Sequence, residues 1–126
     1  MDEVGRGCLA GPVVVGAVVL DPARPIAGVR DSKLLTARAR ERLHDEIIRK
    51  AAMWTLAAAD PEDIDRLNVH RASLDAMRDA VTALVPLPDF VLVDGFRIPD
   101  LLIPQRRIVQ GDRRCAAIAA ASIVAK

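Results

Sequence analysis

Apolar residues recur along this chain with two periods, and the period switches several times. Val13 to Leu20 is a valine-dense run fed by Gly11-Pro12, the pattern of a buried strand. Asp21-Pro22-Ala23-Arg24-Pro25 follows as a loop, because two prolines fix the backbone and remove amide donors. Leu35, Ala39, Leu43 and Ile47 then return at helical spacing, which predicts an amphipathic helix from Thr36 to Lys50. Trp54 to Ala57 reads as a strand closed by Asp60-Pro61. A second helix is expected from Val69 to Leu84, with Val69, Ala72, Ala76, Met77, Ala80, Val81 and Leu84 as its stripe and Asn68 as its cap. Phe90 to Val93 is a short apolar strand. A loop broken by Pro99 and Pro104 separates it from a further short strand, Arg107-Ile108-Val109, that ends at Gly111. Cys115 to Ala125 is almost wholly apolar and rich in alanine, which predicts a buried helix capped by Asp112. Strand first, then helix and strand in alternation, predicts an α/β fold: a mixed sheet with helices on its faces.

Composition narrows the chemistry. A chain of 126 residues, 52% apolar and 28% charged, is one domain with a real core. Only 2% is aromatic, so a row of stacked aromatics is not its way of holding nucleic acid. Net charge is +1, so any nucleic-acid surface must be a local patch. Arg38, Arg40 and Arg42, Arg106 and Arg107, and Arg113 and Arg114 are such patches, although each cluster alone reads as solvated arginine. Cys8 and Cys115 lack the paired spacing of a zinc site and read as reduced, buried thiols. With no signal-peptide pattern and no run long enough to span a bilayer, the expectation is a cytoplasmic chain without a membrane partner.

The chemistry sits in a few short segments. Asp2-Glu3 runs into Gly5-Arg6-Gly7, so acid stands beside base, which suits a site for metal and phosphate together. Adjacent side chains of a regular strand face opposite ways, so both acids serve one site only where the strand ends or bends. Gly5 and Gly7 supply that freedom. Hard divalent cations, magnesium or manganese, prefer such oxygen ligands; the plainer reading is a surface acidic pair. Asp94 ends an apolar strand and precedes Gly95, where an acid is costly unless paired or bound to a cation; the plainer reading is an Asp-Gly turn. Gly5 to Ala10 also fits a dinucleotide-binding fingerprint, but a strand follows it where that motif needs a helix. Lys33 in Asp31-Ser32-Lys33 could meet a phosphate, or Asp31 or Ser32 could cap the next helix. Asn68 and His70 face the same choice between helix start and substrate contact.

Taken together, these segments resemble bacterial ribonuclease HII, the type 2 ribonuclease H. The matching pieces are Asp2 to Val13, Asp31-Ser32-Lys33, Asn68 to Met77, Val91 to Gly95, Gly111-Asp112 and Ala119 to Lys126, in the family's order. The resemblance implies a ribonuclease H-like fold, a central mixed β-sheet flanked by helices, in a single domain spanning 1–126. It implies an endoribonuclease that cuts the RNA strand of RNA–DNA hybrids and ribonucleotides embedded in duplex DNA. Two divalent ions, manganese or magnesium, would drive the hydrolysis, leaving 3′-hydroxyl and 5′-phosphate ends. By position, Asp2, Glu3 and Asp94 become catalytic metal ligands. The Gly5-Arg6-Gly7 backbone becomes the reader of the 2′-hydroxyl, and Ser32, Lys33 and Asn68 become substrate contacts. The family's motif continues beyond Lys126 to a fourth acid and a C-terminal helical region, and other residues precede its acidic pair. The expectation is therefore a chain truncated at both ends, monomeric when complete. The alternative is an impaired remnant that at most binds hybrid duplex weakly.

Overall fold

The computed structural model describes residues 2–4, 13–29, 34–59, 62 and 68–125, with residues 2–4, 69, 112 and 113 described by their backbone. Three strands, β1 (Asp2–Val4), β2 (Val13–Val19) and β3 (Met53–Ala59), form an antiparallel sheet with β2 in the centre. The register sets Asp2 across from Gly16, Glu3 across from Val15, and Val13 to Val19 across from Ala59 to Met53. Two further strands, β4 (Val91–Asp94) and β5 (Gln105–Ile108), pair in parallel. Among the described residues, the pairings of a mixed sheet are thus divided between two hydrogen-bonded ladders.

The alternation along β2 explains the layers. Val13, Val15 and Ala17 are buried on one face, against helix α2 (Val69–Thr82). Ala72, Ala76, Met77, Ala80 and Val81 of α2 meet them, with Val91 and Val93 of β4 in the same core. Thr55 belongs to this face, and its hydroxyl donates to the Ala80 carbonyl at 2.7 Å. On the other face, Val18 joins Leu43 and Ile47 of α1 (Ala37–Lys50) and Ala120, Ile123 and Val124 of the last helix. Helices therefore cover both faces, as the apolar pattern predicts.

Most element boundaries follow local signals. Thr36 caps α1 by accepting from the Ala39 amide at 3.1 Å, and Lys50 is its last residue. Asn68 caps α2, as the sequence predicts, accepting from the Arg71 amide at 3.0 Å. In the loop after β2, Asp21 holds the turn through its carbonyl to the Arg24 amide and its carboxylate to the Ala23 amide. The expected turns at Gly11-Pro12 and Asp60-Pro61 lie outside the described residues.

The C-terminal segment departs from expectation. It is two helices, α3 (Gly111–Arg114) and α4 (Ala116–Ala125), separated by an extended Cys115 at φ −135 and ψ 123. Asp112 caps neither one: it is the second residue of α3, whose N-cap is Gln110 at φ 53 without a side-chain cap bond. Residues Ile118 to Ala125 of α4 are all buried, as befits a helix apolar on every side. Its alanines allow close approach to the sheet. A Cβ at Gly16 would lie 2.5 Å from the Ala121 carbonyl oxygen, so the helix crosses β2 where that strand is bare.

Candidate active site

Asp94 is the best-defined of the candidate residues. It is the last residue of β4, at the C-terminal end of a parallel pair, where α/β sheets present ligand sites. Its carboxylate is half-buried, and Oδ1 accepts from the Gly111 amide at 2.8 Å. That bond satisfies a backbone donor at the start of α3, which Gln110 leaves uncapped. It also fixes the carboxylate's orientation. A Cβ at position 111 would fall 2.5 Å from Ile118 Cδ1 and 3.3 Å from Asp94 Oδ1. Glycine therefore lets the chain come this close. The Asp-Gly turn is present as well: Gly95 stands at φ 80, and the Phe96 amide donates back to the Asp94 carbonyl at 3.0 Å.

Two features of this corner escape sequence reasoning. Gly111 is a structural partner of Asp94 across 17 positions. Asp112, which reads as a cap, instead follows Gly111 as the second residue of α3. The signal available in the sequence was the Gly111-Asp112 pair itself, one of the segments that carry the family resemblance.

Asp2 and Glu3 lie on β1, placed by the backbone register across from Gly16 and Val15. Helix α4 packs against β1, β2 and β4, so the strands bearing Asp2-Glu3 and Asp94 share one covering helix. Among the described residues, no three His, Cys, Asp or Glu side chains gather as an ion-binding group. The side chains of Asp2, Glu3 and Asp112 are not among those described.

Asn68 comes near this corner through its helix. His70, in the first turn of α2, meets the Phe96 ring edge-on, with centroids 4.7 Å apart and planes at 75°. The start of α2 therefore touches the loop that leaves Asp94. Asn68 spends its side-chain oxygen on the Arg71 amide, and its backbone sits at φ 73 and ψ 160. Gly5, Arg6, Gly7, Ser32 and Lys33 lie outside the described residues, as do Cys8, Asp31, Lys126 and the rest of the Gly5 to Ala10 loop. Cys115 is a free, half-buried thiol. No helix in the described residues is long and apolar enough to cross a membrane.

The exposed charges divide into paired and open groups. Asp75 lies between Arg71 and Arg78 at 3.4 and 3.5 Å, and Arg78 also approaches Asp100 at 3.8 Å. On α1, Lys50 donates to Glu46 at 2.8 Å and holds that carboxyl below its ordinary value, with Arg49 and Arg42 adding smaller attractions. This pair serves its helix and is remote in sequence from the corner around Asp94. Arg106 and Arg107 are exposed on β5, across from Leu92 and Val93, two and one positions from the register of Asp94.

Comparison with known proteins gives a consistent set of likenesses. The profile of the ribonuclease HII family matches residues 1–126. A ribonuclease HII of Nitrosococcus oceani is 56% identical over 126 residues, which is 100% of this chain and 63% of that protein. The chain thus spans less than two thirds of that relative. The crystal structure of ribonuclease H2 from Pyrococcus horikoshii OT3 matches with a TM-score of 0.83 at 26% identity, over 98% of this chain and 67% of the other. RNase HII of Archaeoglobus fulgidus, seen in a complex with PCNA, matches with a TM-score of 0.81 at 26% identity, over 98% and 68%.

Proposed function

The chain belongs to the ribonuclease HII family and has its ribonuclease H-like α/β fold, and from that premise we propose that it is the catalytic part of an endoribonuclease. The substrates are the RNA strand of RNA–DNA hybrids and ribonucleotides embedded in duplex DNA. The products carry 3′-hydroxyl and 5′-phosphate ends. The observation that carries this reading is the Asp94 carboxylate, half-buried at the end of a parallel strand and oriented by the Gly111 amide at 2.8 Å. An oriented carboxylate is what a hard cation needs of its ligands.

Asp2, Glu3 and Asp94 are the ligands of this reading, and Asp112 joins them on the strength of its position beside Gly111. The donor set is all oxygen and all anionic, which fits magnesium or manganese. Such ions, when bound, supply positive charge for the phosphodiester and make a water nucleophilic near neutral pH. The remaining work falls to the chain. Gly5-Arg6-Gly7 offers backbone to a 2′-hydroxyl, the group that distinguishes RNA from DNA. Ser32 and Lys33 meet phosphate. Asn68 contacts substrate through its amide nitrogen, because its oxygen caps α2.

The test uses the chain alone and the chain extended with the flanking residues of its Nitrosococcus relative. Each is incubated with manganese or magnesium and a labelled duplex containing one ribonucleotide, beside an all-DNA control. The extended protein is expected to cut on the 5′ side of the ribonucleotide and to leave the control intact. Equal cutting of both duplexes, or no cutting by the extended protein, would overturn the proposal.

A further inference from the structure

We propose that the chain takes up a short, extended apolar peptide in the plane of its sheet, paired antiparallel to the last residues of β2. Strand β3 pairs with all of β2, Val13 to Val19, whereas β1 pairs with Val14, Val15 and Gly16. Among the described residues, Ala17, Val18 and Val19 thus have a strand on one side and none on the other. Carbonyls along a strand point alternately to its two sides. The Val19 carbonyl accepts from the Ala52 amide at 2.9 Å, on the β3 side. The backbone groups of Val18 are therefore directed away from β3, toward the line that β1 follows.

An apolar cavity of about 510 Å³ lies between this end of β2 and the start of β4. Val81 and Leu84, at the end of α2, line it, and so does Ala117 of α4. Those helices cover opposite faces of the sheet. Strands at the sides and helices above and below are the surroundings of a central strand. Leu87 and Phe90 at its rim are 55% and 52% exposed, apolar surface that an incoming peptide covers. The occupant's chemistry follows from this frame. Three pairs carried past Asp2 span about 10 Å at the rise of an antiparallel strand. A strand covered on both faces is apolar at consecutive positions, as β2 itself is, rather than at alternate ones. Running antiparallel to β2, the peptide has its N-terminus near Leu20 and Asp89, the one charged residue among the described lining. A lysine at that end is therefore favoured. Its other end is directed at Asp2 by the register, so an amide suits it better than a carboxylate. Seated there, the peptide gives β2 a second partner and lies between the two ladders.

The experiment titrates the 126-residue chain into an amidated peptide, Lys-Lys-Val-Ile-Val, labelled with fluorescein at its first lysine, and follows the anisotropy. Saturable binding is expected. The same peptide with proline in place of isoleucine, across from Val18, should bind about 10-fold more weakly or worse, because it cannot donate to the ladder. Ala117→Phe sets a ring into the cavity from a half-buried position on α4 and should also weaken binding about 10-fold or more, with a thermal transition near wild type. Asp89→Lys should weaken it about 2- to 5-fold. Hydrogen exchange gives the register: bound peptide should slow the Val18 amide about 10-fold or more, and the Val19 amide, which faces β3, much less. A peptide that does not bind saturably, a proline peptide that binds equally well, or a Val18 amide unchanged on binding would overturn the proposal. A Val18 amide already slow in a dimer of the chain, seen by sedimentation, would assign the cavity to a second copy and overturn it as well. None of these measurements involves cleavage, so their failure is separate from failure of the functional reading above.

Discussion

At Asp94 one oxygen accepts from a backbone amide, and substitution can separate that bond from the role proposed for the carboxylate's charge. Asparagine keeps an oxygen for the Gly111 amide and removes the charge. Asp94→Asn in the extended protein is expected to lose on the order of 100-fold or more in cleavage, while stability shifts by about 1 kcal/mol or less. A gel assay beside a thermal melt reads both. Gly111 is the complementary probe. Gly111→Ala drives a methyl into Ile118 Cδ1 and toward Asp94 Oδ1, at a cost of about 1–3 kcal/mol for overpacking. Removing that δ-methyl with Ile118→Val should recover part of the loss, so a double-mutant cycle by urea unfolding should show coupling between the sites. Without coupling, the close approach is not what requires glycine. Asp94 is legible in the sequence because an acid after an apolar run is a local anomaly. Gly111 is not, because its partners are brought to it by the fold.

At the scale of elements, the helix α4 meets β2 at one bare position. Gly16→Ala would set a Cβ 2.5 Å from the Ala121 carbonyl, and a backbone atom cannot rotate away as a side chain can. The helix must then lift from the sheet. The expected loss is about 3 kcal/mol or more, read as a lower thermal transition with lower cleavage, since Asp2 lies across from Gly16. The cap of α2 gives a finer test. Asn68 combines a cap bond with a positive φ that favours glycine. Asn68→Ala loses the bond and keeps the strain, at about 1–2 kcal/mol, whereas Asn68→Gly loses the bond but relieves the strain and should cost less. Equal melts for the two variants would argue against strain at Asn68. Helix α1, helix α2 and strand β2 were legible because each has a clean period and, for the helices, a capping residue. The ends of β3 and β5 were not. Trp54 to Ala57 lengthens to Met53–Ala59 because β2 offers seven partners in register. The strand expected at 107–109 falls at Gln105–Ile108 because its pairing is set by β4, and the Gln105 side chain clamps the intervening loop.

Over the whole molecule, the net charge of +1 gives no general attraction for a polyanion, so the nucleic-acid binding proposed above needs local charge. The exposed Arg106 and Arg107 on β5 are placed to supply it, one strand from Asp94. Replacing both with alanine should lower the slope of log affinity against log salt by about 1 for each arginine that meets a phosphate. Titrations at several salt concentrations measure this directly. An unchanged slope would return these arginines to the solvated role that their sequence context suggests.

The sequence by itself determined the layers and the family. Apolar periods decide which face of a strand or helix is buried, and the blocks around Asp2-Glu3, Asp94 and Gly111-Asp112 carry the likeness to ribonuclease HII. These are local properties, written in neighbouring residues. The tertiary structure alone decided how distant positions meet. Among the described residues it divided the strand pairings between two ladders, broke the last helical segment at Cys115, and set Asp112 inside α3 instead of at a cap. It also joined His70 to Phe96 at the mouth of that corner. Such contacts depend on where the backbone can approach without a Cβ in the way and on which donors a neighbouring element leaves unsatisfied. Neither quantity exists until the elements have packed.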